Sequence, residues 1–282
     1  MSKDQRYQVF TAQEIERKFR RPPTRVMRPL VLLTTNTLRV GNRITWELQG
    51  AEYLKEATGP FVLASNHRSH VDTVSILGLL PKSISRRTVV AAAQDVFGRQ
   101  GTTFKKRLMY GFVGLAVAAG FRAFAFDRNG PPLASIRTSR ELIKRGWNLL
   151  LYPEGTRTRT GKMKAFKSGV GALARFTGSP VLPIYVSGGD EVMPAGRVFP
   201  TRAHICVKIG KPLYFQDQSS PRRFTARLER AVRQLGGEEV SARLNARAEG
   251  ISQTEETQCS HDNQPNSEHQ NTGLKEIKQQ SA

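Results

Sequence analysis

The sequence predicts an α/β domain: a mostly parallel central sheet flanked by helices, with an N-terminal helical extension and a disordered C-terminal tail. Three observations carry this reading. Short, β-rich apolar runs alternate with helical stretches along most of the chain, the pattern of strands joined by crossover helices. The 282 residues are enough to bury one sizeable core. Residues 251–282 are polar and almost free of large apolar side chains, so they bury too little surface to offset the entropy of ordering.

Residues 1–27 are polar and basic, and the Pro22-Pro23 pair marks a break. From Pro29 to Leu48 the spacing of Leu30, Leu33, Val40, Ile44 and Leu48 is loosely helical, which makes residues 1–50 a basic helical extension. Strands are then expected at 61–65, 88–92, 123–127, 149–152, 181–187 and 204–210, with helices at 72–80, about 133–145, 168–177 and 222–235. They define one domain over 51–240 and leave 241–282 as the tail; there is no internal repeat. Pro183, inside "VLPIYVS", has no N–H to give a ladder, so an edge position or a bulge is expected. The helix at 222–235 places Phe224, Leu228, Val232 and Leu235 on one face, with Arg222, Arg223, Arg227, Arg230 and Arg233 around it. It is either a docked helix with a solvated basic face or a contact for anionic headgroups or an acidic carrier.

The formal net charge is +21. Five acidic and two basic side chains give residues 251–282 a charge of −3, which leaves +24 on the first 250 residues. That charge implies an anionic partner without choosing among nucleic acid, acidic protein, membrane and phosphorylated substrate. Cys206 and Cys259 do not suggest a disulfide framework, and a reducing compartment is the simpler reading. The first residues lack the apolar core of a secretory signal. The longest apolar run, Leu108–Phe121, is too short to span a bilayer and is closed by Arg122.

Two of the five histidines lie in "SNHRSHVD", residues 65–72, at a strand-to-helix junction. Ser69 and Asp72 fit a capping box, which by itself says nothing of chemistry. His67 is left over. On one continuous helix, five residues would separate His67 from Asp72 by about 140°, so the loop-to-helix junction is what allows them to pair. A carboxylate in the first turn is stabilised as the anion and can fix the tautomer of an imidazole acting as general base. No G-x-S-x-G elbow is present, so the hydroxyl to be activated is expected on the substrate. The spacing of His67 and His70 matches no common zinc pattern, and H-E-x-x-H is absent.

A second cluster, "YPEGTRTRTGKMKAFKSG" from Tyr152, leaves the end of the "NLLLY" run. Ligand sites in α/β sheets collect at that end. It is not a P-loop: five residues separate Gly155 from Gly161, and Met163 stands where Ser or Thr is required. The turn at Glu154, Gly155 and Thr156, with Arg157 directly after it, suits a phosphomonoester. Arg159, Lys162 and Lys164 read as surface charge. Asp127 and Arg128 end a third strand and, alone, describe a turn.

Taken in order, these stretches resemble the lysophospholipid acyltransferase family, whose best-known members are the 1-acylglycerol-3-phosphate O-acyltransferases. Asn66, His67, Ser69 and Asp72 match its N-H-x-S-x-x-D block; Phe126, Asp127 and Arg128 match its second block. Tyr152 to Arg157 match the aromatic-P-E-G-T-R block, and Val181 to Ile184 the apolar run with a central proline. The likeness covers about residues 60–210, with Tyr152 and Thr158 standing where Phe and Ser are commoner. It implies His67 as general base, Asp72 as its orienting partner, and Arg128 and Arg157 as holders of the acceptor phosphate, in a pocket shaped by Glu154, Gly155 and Thr156. No metal or organic cofactor is implied.

The resemblance therefore implies transfer of a fatty acyl group from acyl-CoA or acyl–acyl carrier protein to 1-acylglycerol 3-phosphate, forming phosphatidic acid. Its partners would be that donor, a lysophospholipid acceptor and an anionic membrane surface, with the protein cytoplasmic and peripheral on the inner face of a membrane. Another lysolipid acceptor is the alternative within the same chemistry. A nucleic-acid-binding protein would account for the charge and nothing else, since the aromatic interleaving and modular signatures of such proteins are missing.

Overall fold

The computed structural model describes residues 11–20, 44–69, 71–93, 120–126, 132–158, 162–192 and 201–237. Asp127 and Arg128, residues 108–119, Cys259 and the tail 241–282 lie outside the described residues. The strands are β1 (Ile44–Gln49), β2 (Val62–Ser65), β3 (Thr88–Ala93), β4 (Ala123–Phe126), β5 (Asn148–Leu151), β6 (Val181–Ser187) and β7 (Ala203–Ile209). They form one sheet in the order β1-β7-β6-β2-β5-β3-β4. Every neighbouring pair is parallel except β6 with β7, so the sheet is the mostly parallel one that the alternating pattern predicts.

The described helices are α1 (Ala12–Arg20), α2 (Tyr53–Glu56), α3 (Val71–Leu79), α4 (Lys82–Arg86), α5 (Pro132–Lys144), α6 (Gly169–Thr177), α7 (Gly189–Val192) and α8 (Pro221–Gly236). The central strands β2 and β5 are buried throughout, and near-continuous apolar runs are what burial on both faces demands. Val62, Ala64 and Leu149 face a core built with Ile15 and Phe19 of α1, Leu142 of α5, Leu173 of α6, and Phe224, Leu228 and Val232 of α8. Leu63 and Leu150 face the opposite core, with Ile76 and Leu77 of α3 and Val192 of α7. Truncating any one of these leucines to alanine would cost about 2–5 kcal/mol.

Local signals set the ends of the outer helices. Thr11 and Glu14 form a capping box at α1: the Glu14 carboxylate accepts from Thr11 N–H at 2.8 Å, and Thr11 Oγ1 accepts from Glu14 N–H at 3.3 Å. Trp147 Nε1 donates to Glu16 at 2.7 Å, which helps dock α1 beside β5. At α8, Ser220 accepts from Arg223 N–H, Pro221 opens the helix, and Gly237 closes it at φ 71°.

Three expectations are corrected. Ile44–Gln49 is a strand, not the end of a helical stretch. The i, i+4 step from Ile44 to Leu48 fits either period, but Trp46 between them completes a period-two pattern with Thr45, Glu47 and Gln49 exposed. Pro183 is interior rather than at an edge, because β6 lies between β2 and β7; the other alternative, a bulge, holds, since the pairing slips by one residue between Ile184 opposite Ile209 and Val181 opposite Leu213. The Pro183 carbonyl accepts from Gly210 N–H at 2.9 Å, where the β6–β7 ladder begins only at Ile184. A Cβ at Gly210 would come within 2.9 Å of Pro183 Cγ, so a glycine opposite makes room for the ring. Arg233 does not belong to a solvated basic face: it bonds Glu229 at 2.9 Å and the Met163 carbonyl at 3.0 Å.

Candidate active site

The exits of β2, β5 and β6 converge at the carboxyl edge of the sheet, where ligands of open α/β folds bind. Asn66, directly after β2, continues the β2–β6 pairing with its side chain. Its Nδ2 donates to the Val186 carbonyl at 3.0 Å, and its Oδ1 accepts from Val186 N–H at 2.7 Å. The main chain is thereby free to turn away from the sheet at His67.

His67 Nδ1 lies 3.0 Å from Asp72 Oδ2, with the imidazole 20% and the carboxylate 1% exposed. The same Oδ2 accepts from the N–H groups of Arg68 and Ser69 at 2.8 Å each. Three donors on one oxygen make a charge-assisted cluster. With Nδ1–H directed at Asp72, the Nε2 lone pair is the one left as an acceptor. The capping box forms in half: Asp72 accepts from Ser69 N–H, while Ser69 Oγ accepts from Val71 N–H at 3.3 Å instead of from Asp72. The octet thus starts a helix and seats an imidazole against a buried carboxylate.

Under the imidazole lies Tyr152, the first residue after β5. The two rings are stacked, with centroids 3.9 Å apart and 17° between planes. The Tyr152 hydroxyl shares a 2.7 Å hydrogen bond with Thr73 Oγ1. Burial, then the Asp72 charge, push the phenol far above its ordinary value, and the Thr73 bond pulls weakly the other way; the ring is neutral.

The Tyr152–Arg157 turn clasps the His67 backbone. Glu154 Oε1 accepts from His67 N–H at 2.8 Å and Oε2 from Lys164 N–H at 2.9 Å, while Thr158 N–H donates to the His67 carbonyl at 2.9 Å. Burial raises the Glu154 carboxyl above the usual range, against the pull of those two N–H groups. Gly155 has φ 77°, and a Cβ there would meet Lys167 Cε at 3.0 Å. Lys164 Nζ donates to Thr156 Oγ1 at 3.1 Å and to the Arg157 carbonyl at 3.4 Å. No carboxylate of the described residues lies within ion-pair distance of Arg157, Lys164 or Lys167.

His67, Asp72, Glu154, Gly155, Thr156 and Arg157, separated by about eighty residues in the sequence, are therefore in one place, with Thr156 and Arg157 exposed. Arg128 lies outside the described residues. Glu154 is buried and ties the loop through both carboxylate oxygens. Lys164, read in sequence as surface charge, folds back over the turn. Neither the stacking of Tyr152 nor the approach of Gly189 to Asp72 Oδ1 carries a local sequence signature. Among the described residues no group of three or more His, Cys, Asp or Glu side chains could hold a metal ion, and no helix is long and apolar enough to cross a membrane.

Fold and site together define an α/β protein that carries an imidazole–carboxylate pair at its strand ends. A family model described as Acyltransferase matches residues 45–187, from β1 to the end of β6, and the chain belongs to that acyltransferase family. It is 31% identical over 173 residues to the 1-acyl-sn-glycerol-3-phosphate acyltransferase BAT2 of Brassica napus, covering 60% of this chain and 45% of that protein. It is 33% identical over 162 residues to the 1-acyl-sn-glycerol-3-phosphate acyltransferase of Pseudomonas aeruginosa, covering 56% of this chain and 55% of that one. The chain thus spans about half the length of the curated relatives it matches. In fold it is similar to the crystal structure of the 1-acyl-sn-glycerophosphate (LPA) acyltransferase PlsC from Thermotoga maritima, at a TM-score of 0.55 and 22% identity over 80% of this chain and 86% of that one.

Proposed function

We propose that this protein transfers a fatty acyl group from acyl-CoA or acyl–acyl carrier protein to the free hydroxyl of 1-acylglycerol 3-phosphate, forming phosphatidic acid. The observation that carries the reading is the His67–Asp72 pair at 3.0 Å beside a turn whose cations have no carboxylate partner among the described residues. His67 Nε2 takes the proton of the acceptor hydroxyl as its oxygen attacks the thioester carbonyl. Asp72 stabilises the imidazolium that forms. The tetrahedral intermediate collapses by breaking the C–S bond, and the imidazolium returns the proton to the departing thiolate. Arg157, with Arg128 as a second cation, holds the acceptor phosphate. The names of the relatives support this acceptor, and the +24 on the first 250 residues suits an anionic membrane surface on the cytoplasmic side.

The test is product analysis of the purified protein over a matrix of acyl donors and lysolipid acceptors. Phosphatidic acid is expected as the main product, with His67→Ala and Asp72→Asn each lowering kcat about 10³- to 10⁴-fold. Undiminished transfer by His67→Ala would remove the imidazole from the reaction. Preference for an acceptor lacking a phosphomonoester would replace the proposed substrate. Flotation with anionic liposomes tests the membrane surface.

A further inference from the structure

We propose that Tyr152 is a positioning residue for His67, its ring fixing the plane of the imidazole and its hydroxyl fixing that ring to the helix that carries Asp72. The inference rests on the general-base reading of His67 given above.

The hydrogen bond from Nδ1 to Asp72 Oδ2 is a single contact and leaves the imidazole free to swing about the N···O line, sweeping Nε2 through an arc. A ring stacked at 3.9 Å and 17° removes that freedom, because any swing drives one edge of the imidazole into the phenol. The phenol is held in turn. Its Oη is bonded to Thr73 Oγ1 at 2.7 Å, and Thr73 is the residue after Asp72 on α3. Both restraints on the imidazole, edge and face, thus return to consecutive residues of one helical turn and move with it. An aromatic face also favours a cation set against it, so the stack supports the imidazolium formed as the hydroxyl is deprotonated. A packing role alone would be met by any apolar side chain; the geometry asks for a flat ring with an anchored end.

The experiment compares the wild-type chain with Tyr152→Leu, Tyr152→Phe, Thr73→Val and the Phe/Val double variant. The His67 Hε1 resonance is followed by NMR, and kcat and KM are measured with oleoyl-CoA and 1-acylglycerol 3-phosphate. Hε1 should show an upfield ring-current shift in the wild type and Tyr152→Phe and lose it in Tyr152→Leu. Tyr152→Leu should lower kcat about 10- to 100-fold with KM within about threefold, the mark of misplacement rather than lost binding. Tyr152→Phe and Thr73→Val should each cost about two- to tenfold, and the double variant no more than either alone, because both remove one bond. A kcat within about twofold of wild type for Tyr152→Leu, or an unmoved Hε1, would overturn the proposal. Should Tyr152→Leu not fold, additive losses in the Phe/Val cycle would overturn it instead. Wild-type protein without turnover would sink the acyl-transfer reading separately, and the resonance would still decide Tyr152.

Discussion

Gly189 and Asp72 meet with no room for a side chain between them: a Cβ at position 189 would lie 2.6 Å from Asp72 Oδ1 and 3.3 Å from Ser69 Cβ. That oxygen is buried and has no hydrogen-bond partner among the described residues, whereas Oδ2 gathers three donors. A methyl group pressed on Oδ1 would rotate the carboxylate and loosen all three bonds. Gly189→Ala is expected to reduce kcat about 10- to 100-fold, read in the acyl-transfer assay, with the circular dichroism of the wild type. Full activity would mean that α7 can yield without disturbing Asp72.

Asn66 closes two hydrogen bonds on the backbone of Val186, a residue 120 positions away. Asn66→Ala would leave a buried N–H and a buried carbonyl unpaired, each costing about 1–3 kcal/mol. A loss of about 2–5 kcal/mol is expected in urea unfolding, together with a drop in activity as the exit of β2 is released. Asn66→Asp keeps the acceptor for Val186 N–H but sets an oxygen against the carbonyl, so it should be no more stable than the alanine variant.

How far the fold was legible depends on whether its signals are local. Strands β2 to β7 announce themselves as short apolar runs between turns, and each lies within a residue or so of its expected span. β1 was hidden because Ile44 and Leu48 satisfy both periods, and because its partner is Ala203–Ile209, some 160 residues on. In the site, His67 and Asp72 are five residues apart and their pairing could be reasoned from the helix start. The role of Glu154 could not, since a P-E-G turn gives no hint that its carboxylate reaches back to the His67 N–H. Tyr152 and Gly189 likewise act on segments far from them in sequence, and only the sheet order brings those segments together, whereas Lys164 folds back within its own loop onto Thr156 and Arg157.

Glu154 ties stability to pH with a definite sign. Burial raises its folded-state pKa above the ordinary glutamate range, so over that interval the folded chain holds a proton there that the unfolded chain has already lost. The resulting stabilisation is complete below the unfolded value and disappears as pH rises through the raised folded one. Urea midpoints taken from about pH 4 to pH 7 should therefore show a downward contribution that is absent in Glu154→Gln. Glutamine can accept from only one of the two N–H groups, so the variant should also be weaker at every pH in that range. An unchanged slope would mean that the carboxyl titrates alike in both states.

Arg157 and Lys164 stand over the same turn but are held differently, and this should separate their effects. Arg157 is exposed and its guanidinium is free to meet a phosphate in two parallel hydrogen bonds. The Lys164 ammonium already donates to Thr156 Oγ1 and the Arg157 carbonyl, so it contributes charge more than geometry. Arg157→Ala is expected to raise KM for 1-acylglycerol 3-phosphate about tenfold or more while leaving a neutral monoacylglycerol unaffected. Lys164→Ala should raise it about threefold, and its effect should fade with added salt as screening shortens the reach of the lost charge. Equal losses on both acceptors would take Arg157 out of phosphate recognition and assign it to the shape of the turn; a salt-insensitive loss at Lys164 would do the same for the lysine.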